Sequence, residues 1–143
     1  MRLIDYFERG LRDDPERVCL IDTSGEYSYA DVAARSHRTA NALLAGGLQV
    51  GDCVAILSPN GAPAFEAWIG AARAGGVWVG LAALASIDEN IYVINNRDTE
   101  WLFYHSNFED EIERIKAACP KLKHVICLDK AGANHPYFFD YIA

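Results

Sequence analysis

Between Cys53 and Leu128 the chain repeats one pattern: a short apolar run, a helix-spaced segment, then another apolar run. That alternation limits the folds open to it more than any other feature. Cys53-Val54-Ala55-Ile56-Leu57 is apolar throughout, as a strand covered on both faces must be. After the turn residues Ser58-Pro59-Asn60-Gly61, the residues Phe65, Trp68, Ile69 and Ala72 fall at i, i+3, i+4 and i+7, one face of a helix. Gly75-Gly76 ends it, and Val77-Trp78-Val79 reads as a second buried strand. Ser86 and Glu89 have capping-box spacing, and Ile87, Ile91 and Ile94 line the next helix up to Asn95-Asn96. Trp101 to Tyr104 is a third strand. Asn107 is expected to cap a helix carrying Phe108, Ile112 and Ile115, with Asp110 and Arg114 spaced for an i,i+4 ion pair. Pro120 ends that helix, and Val125 to Leu128 is a fourth strand.

Strands alternating with helices predict an α/β fold: a doubly wound, mostly parallel sheet with helices on both faces. Ahead of this 51–128 core, residues 1–50 read as a helix (Leu3 to Arg12), a hairpin and a long helix. Val18 to Asp22 and Glu26 to Ser28 flank the turn Thr23-Ser24-Gly25. Ser28 with Asp31 starts the long helix, Val32, Ser36, Ala40, Leu43 and Leu44 face inward, and Gly46-Gly47 ends it. Residues 129–143 read as a loop from Asp129 to Pro136, then an aromatic tail of Tyr137, Phe138, Phe139 and Tyr141. That tail either packs back on the body or faces something else. If the tail and an outer strand are exposed, self-association is expected.

Composition removes several classes of function. Thirteen Lys and Arg against twenty Asp and Glu give a formal charge of −7 with no basic cluster, so no nucleic-acid face is expected. At 51% apolar residues the chain is not a disordered one. The longest apolar stretch, Ala64 to Ala85, is broken by Glu66, Arg73 and Gly75-Gly76, so it reads as helix plus strand rather than a membrane span. The start, Met1-Arg2-Leu3-Ile4-Asp5, lacks the apolar core of a signal peptide, and a cytoplasmic protein is expected. Cys19, Cys53, Cys119 and Cys127 have no C-x-x-C spacing and read as free, mostly buried thiols. His37, His105, His124 and His135 lack ligand spacing. Glu109, Asp110, Glu111 and Glu113 read as a solvated helix face.

In an open α/β sheet, ligands bind beyond the carboxyl ends of the strands. The segments there are Ser58-Pro59-Asn60, Gly80-Leu81-Ala82 and His105-Ser106-Asn107. None contains the glycine pattern that lets backbone approach a pyrophosphate, and there is no Gly-rich loop ending in Lys-Ser or Lys-Thr. Neither Ser58 nor Ser106 sits between glycines as a hydrolase nucleophile does. His105 and Ser106 are adjacent, so their side chains point apart in extended chain, and no third orienting group is evident.

The order and wording of the segments carry a likeness. Pro15 to Asp22, Tyr27-Ser28-Tyr29-Ala30-Asp31-Val32 and Ala40-Asn41-Ala42-Leu43-Leu44 are followed by Gly47-Leu48-Gln49-Val50-Gly51-Asp52-Cys53-Val54-Ala55-Ile56, then Pro59-Asn60, then Ala72-Arg73-Ala74-Gly75-Gly76-Val77. In that order they resemble the N-terminal part of the adenylate-forming superfamily, the acyl-CoA synthetases and their relatives, from about Leu3 to Leu128. One segment departs: where the family reads P-L-N-P, this chain has Gly80-Leu81-Ala82-Ala83-Leu84-Ala85-Ser86.

The resemblance implies an ATP-dependent ligase that joins a carboxylic acid to CoA through an acyl-adenylate, with ATP, Mg and CoA serving the full-length protein. The family's phosphate loop, adenine-pocket aromatic, Thr-Glu pair, ribose-binding Asp and C-terminal-domain Lys have no matching residue before Ala143. No catalytic, cofactor-binding or metal-ligating residue is therefore assigned. The chain is expected to be a partial domain, inactive alone, whose partners are the rest of its own adenylation domain and a C-terminal domain. An adenylation enzyme with a carrier-protein acceptor and a stand-alone α/β binding domain are the other readings.

Overall fold

The computed structural model describes residues 1–131 and 133–143; Gly132, inside the stretch expected to be a loop, lies outside the described residues. The elements are α1 (Leu3–Asp13), β1 (Val18–Asp22), β2 (Gly25–Ser28), α2 (Tyr29–Ala45), β3 (Cys53–Leu57), α3 (Ala62–Arg73), β4 (Val77–Gly80), α4 (Ile87–Asn96), β5 (Trp101–Tyr104), a 3-10 turn (Ser106–Phe108), α5 (Glu109–Ala118), β6 (His124–Cys127) and α6 (Phe138–Tyr141). β1 and β2 form the expected antiparallel hairpin.

The remaining strands form one parallel sheet in the order β4-β3-β5-β6. From β3 the chain steps outward to β4, then crosses back over to β5 and on to β6. Right-handed crossovers in opposite directions put their helices on opposite faces. The packing agrees. Val54, Ile56, Trp101, Phe103, Ile126 and Leu128 meet α2, α3 and α6 on one face. Ala55, Leu57, Leu102, Tyr104 and Val125 meet α4 and α5 on the other. The continuous apolar run of β3 is thus explained by cover on both sides. A third cluster, Ile4, Phe7, Val32, Ala33 and Ile69, fixes α1 against α2 and α3. α2 and α3 approach closely because Gly70 has no Cβ: one placed there would lie 2.4 Å from Thr39 Cβ.

The structure corrects several expectations. Val77-Trp78-Val79 is not a buried strand, because β4 is the sheet edge: only Val79 is buried, and Trp78 is 52% exposed. Leu44 is 50% exposed because Leu43 already takes the core position at that level of α2. Asn107 does not cap α5. A 3-10 turn intervenes, and the His105 ring accepts the Asn107 N–H instead. Arg114 reaches across to Asp88 of α4 rather than pairing with Asp110. The aromatic tail packs back on the body. Phe138 is wholly buried, edge-on to Phe103 at 5.9 Å, and Tyr137 bridges Cys127 along the outer side of β6. The four cysteines are free.

Candidate functional site

α3, α4 and α5 each follow a strand of the parallel sheet, so their N-termini stand at its carboxyl end. A helix N-terminus offers unpaired N–H groups and partial positive charge, and this is where phosphates settle in such folds. Here the starts of α3 and α4, and that of the 3-10 turn leading into α5, are each met by a carboxylate of the chain itself.

At α3 the N-cap is Gly61, which has no side chain to cap with. Asp22 supplies the cap from the end of β1: its Oδ2 accepts the Ala62 N–H at 2.8 Å. Its Oδ1 accepts from the Ser24 N–H and hydroxyl. The Ser24 hydroxyl, then the Ala62 and Ser24 N–H groups, hold the Asp22 carboxyl below its usual range. At α4 the expected box forms, Glu89 accepting the Ser86 N–H at 2.8 Å and Ser86 accepting the Glu89 N–H at 3.3 Å. The loop before it, which departs from the family pattern, is pinned by the buried Asn90. Its amide donates to the Ala82 carbonyl at 3.1 Å and accepts the Ala82 N–H at 3.2 Å.

At the turn before α5 the carboxylate comes from Asp129, just past β6. Oδ1 accepts the Ser106 N–H and Oδ2 the Ser106 hydroxyl, both at 2.7 Å. His105 Nε2 stands 3.3 Å from the same Oδ2. Partial burial works against the charged Asp129, but the two Ser106 donors and the His105 ring outweigh it and lower its pKa. A third group beside His105 and Ser106 therefore exists, contrary to the sequence expectation. It does not make a nucleophile. The Ser106 hydroxyl donates to Asp129, not to His105, and His105 Nδ1 is already taken by the Asn107 N–H at 3.2 Å. The imidazole does not face the Ser106 hydroxyl, which is held by the Asp129 carboxylate together with the Ser106 N–H, and the cluster works as a cap.

These groups border a cleft of about 550 Å³ at the switch point between β3 and β5, where the two loops leave toward opposite faces. Ser58, Asn60, Gly61, His105 and Asp129 are on its walls, with Tyr137 and Phe139 from the tail. It shares Leu20, Ser58, Asn60, Gly61 and Ala64 with an apolar groove of about 510 Å³ beside the edge strand. Two of the three segments singled out in the sequence, 58–60 and 105–107, thus meet at one cleft. Leu81, of the third, lies in the groove. Among the described residues, no group of three metal-ligating side chains gathers, and no helix is long and apolar enough to cross a membrane.

Behind the tail lies an ion pair that the sequence did not suggest. Arg35 donates to Glu66 Oε1 at 2.9 Å, and its guanidinium sits between the rings of Tyr27 (4.9 Å) and Phe139 (5.4 Å). Glu66 is fully buried and its second oxygen has no partner. Burial dominates over Arg35, and the Glu66 pKa is pushed up to about 7. On the α5 face the buried Tyr104 donates to Glu109 at 2.5 Å and meets His135 Nδ1 at 3.0 Å, tying the segment after β6 to α5. Asp22, Asp129, Asn90 and the Arg35–Glu66 pair all act across distances in sequence that no local pattern encodes.

Comparison with known proteins gives this geometry a family. The family model described as AMP-binding enzyme matches residues 7–139. The 3-oxocholest-4-en-26-oate–CoA ligase of Rhodococcus rhodochrous is 26% identical over 129 residues, 90% of this chain and 23% of that protein. The phenyloxazoline synthase MbtB of Mycobacterium tuberculosis is 38% identical over 77 residues, 54% of this chain and 5% of that protein. The crystal structure of the anthranilate CoA ligase AuaEII in complex with anthranoyl-AMP superposes with a TM-score of 0.91 at 25% identity, over 99% of this chain and 27% of that one. The chain spans about a quarter of the length of these CoA ligases. It belongs to the family of AMP-binding enzymes, and its fold is that of the N-terminal region of the acyl-CoA ligases.

Proposed function

We propose that this chain is the scaffold segment of an adenylate-forming acyl-CoA ligase and carries none of the reacting groups. The whole enzyme activates a carboxylic acid with ATP, releasing pyrophosphate, and passes the acyl group from AMP to the thiol of CoA. One observation carries the scaffold reading: at the carboxyl end of the sheet the starts of α3 and α4, and of the 3-10 turn leading into α5, are each met by an internal carboxylate, Asp22, Glu89 and Asp129. ATP, Mg and CoA are then held mainly by residues outside this segment, and the other parts of the enzyme are its partners. The test is carboxylate-dependent ATP–pyrophosphate exchange with the purified 143-residue chain. No exchange above the protein-free blank is expected; clear exchange with any acid overturns the scaffold reading.

A second reading changes only the acceptor, to the phosphopantetheine thiol of a carrier protein. It is favoured by the match to a protein named a synthase rather than a CoA ligase. The two separate when a polypeptide containing this segment is offered CoA or a phosphopantetheinylated carrier protein as acyl acceptor.

A further inference from the structure

The cleft and the apolar groove form one trough, because five lining residues belong to both. Its two ends differ in chemistry. The groove end presents Trp68, Trp78 and Phe65; the two indoles lie 5.7 Å apart, and Trp78 is half exposed on the edge strand. The cleft end presents Asp22 and Asp129, and among the described residues no lysine or arginine lines either end. Arg35, which lies against Phe139 behind the cleft, is matched by Glu66. Hydrogen bonds lower the pKa of both aspartates, so both are charged at neutral pH. The start of α3 offsets only part of the Asp22 charge, through the Ala62 N–H.

We propose that this trough binds a small organic cation with a flat apolar body, the body against Trp68 and Trp78 and an ammonium group beside Asp129, and that it rejects the matching anion. Charge complementarity sets the head: an ammonium gains from two carboxylates where a carboxylate or phosphate is repelled. The aromatic walls set the body, through stacking and the removal of apolar surface from water. The size of each half is in the range of small-molecule sites. The Ser106 N–H, the Ser106 hydroxyl, the His105 ring and the Cys127 thiol already surround the Asp129 carboxylate, so the ammonium is held beside it by charge rather than by a new hydrogen bond. The proposal goes beyond the ligase reading and stands independently of it, because it concerns occupancy of the trough and not the reaction.

The indole N–H resonances of the three tryptophans provide the test, with Trp101 as an internal control. Trp101 is buried in β5, stacked on His124 at 4.6 Å, and lines neither half of the trough. The full chain is titrated with 4-phenylbutylammonium and, separately, with 4-phenylbutanoate, which differ chiefly in the sign of the head. The ammonium is expected to shift the Trp68 and Trp78 signals saturably while Trp101 stays still, and to bind about ten-fold more tightly than the carboxylate. Asp129→Asn should shrink that preference several-fold, and the exposed Trp78→Ala should weaken both probes without unfolding the chain. Equal binding of the two probes overturns the proposal, as does a Trp101 shift matching the others or no shift at all. A null result here leaves the exchange assay untouched, so failure of the trough and failure of the scaffold reading are told apart.

Discussion

At the scale of single residues, Glu66 is the side chain whose environment conflicts most with its chemistry. It sits in an apolar helix face with one oxygen unpartnered, and Arg35 offsets only part of the cost of burying its charge. Its pKa rises from 4.5 to about 7. Between those values the folded chain holds a proton that the unfolded chain releases, so this group's contribution to stability falls as pH rises through that window. Glu66→Gln keeps an acceptor for Arg35 and removes the titration. Melting temperatures measured from pH 5 to pH 8 should show the variant gaining on the parent chain as pH rises, by roughly several degrees. The difference between the two chains is the informative quantity. His124, whose pKa burial lowers, contributes with the opposite sign over part of the same range. A constant difference across the range would contradict the assignment.

Among elements, the contact between α2 and α3 positions the first wall of the cleft, since α3 begins at the Ser58–Gly61 loop. It depends on small residues. Gly70 lies under Thr39, and an added Cβ would stand 2.5 Å from the Thr39 methyl and 3.1 Å from the Ser36 carbonyl oxygen. Gly70→Ala gains about 1 kcal/mol in helix propensity, but forcing α2 and α3 apart costs more. A net loss of about 1–3 kcal/mol in urea unfolding is expected; a more stable variant would show that the helices are free to separate.

Elements were also the level most legible in the sequence. β3, α3, α4 and β5 stood out because period and burial agree there: β3 is apolar on every residue because both its faces are covered. Legibility failed where a tertiary neighbour decides. Trp78 reads as core from its neighbours Val77 and Val79, yet β4 is an edge, and strand order is not written in the strand itself. The start of α5 was misread because Asp129, more than twenty residues on, bonds the turn that a local cap at Asn107 would have closed.

For the molecule as a whole, the doubly wound pattern put the candidate cleft at the carboxyl ends of the strands, and the segments there lack the glycine loops that cradle a phosphate. What the sequence could not show is the reason in space. Asp22 comes from the hairpin, Glu89 from within its own helix and Asp129 from just past β6, and together they meet the starts of α3, of α4 and of the 3-10 turn before α5, where such a fold ordinarily offers N–H groups to anions. The family match shows an AMP-binding enzyme, and on the proposed reading these carboxylates let the segment serve it as a frame.

Titration of the chain with MgATP, followed through the backbone amides of Ala62 and Ser106, tests that account most directly. No saturable shift is expected up to about 1 mM nucleotide, a concentration at which even a binding energy of about 4 kcal/mol would be visible. Saturable movement of either amide would show a phosphate competing with Asp22 or Asp129, and would contradict the claim that these helix starts are closed.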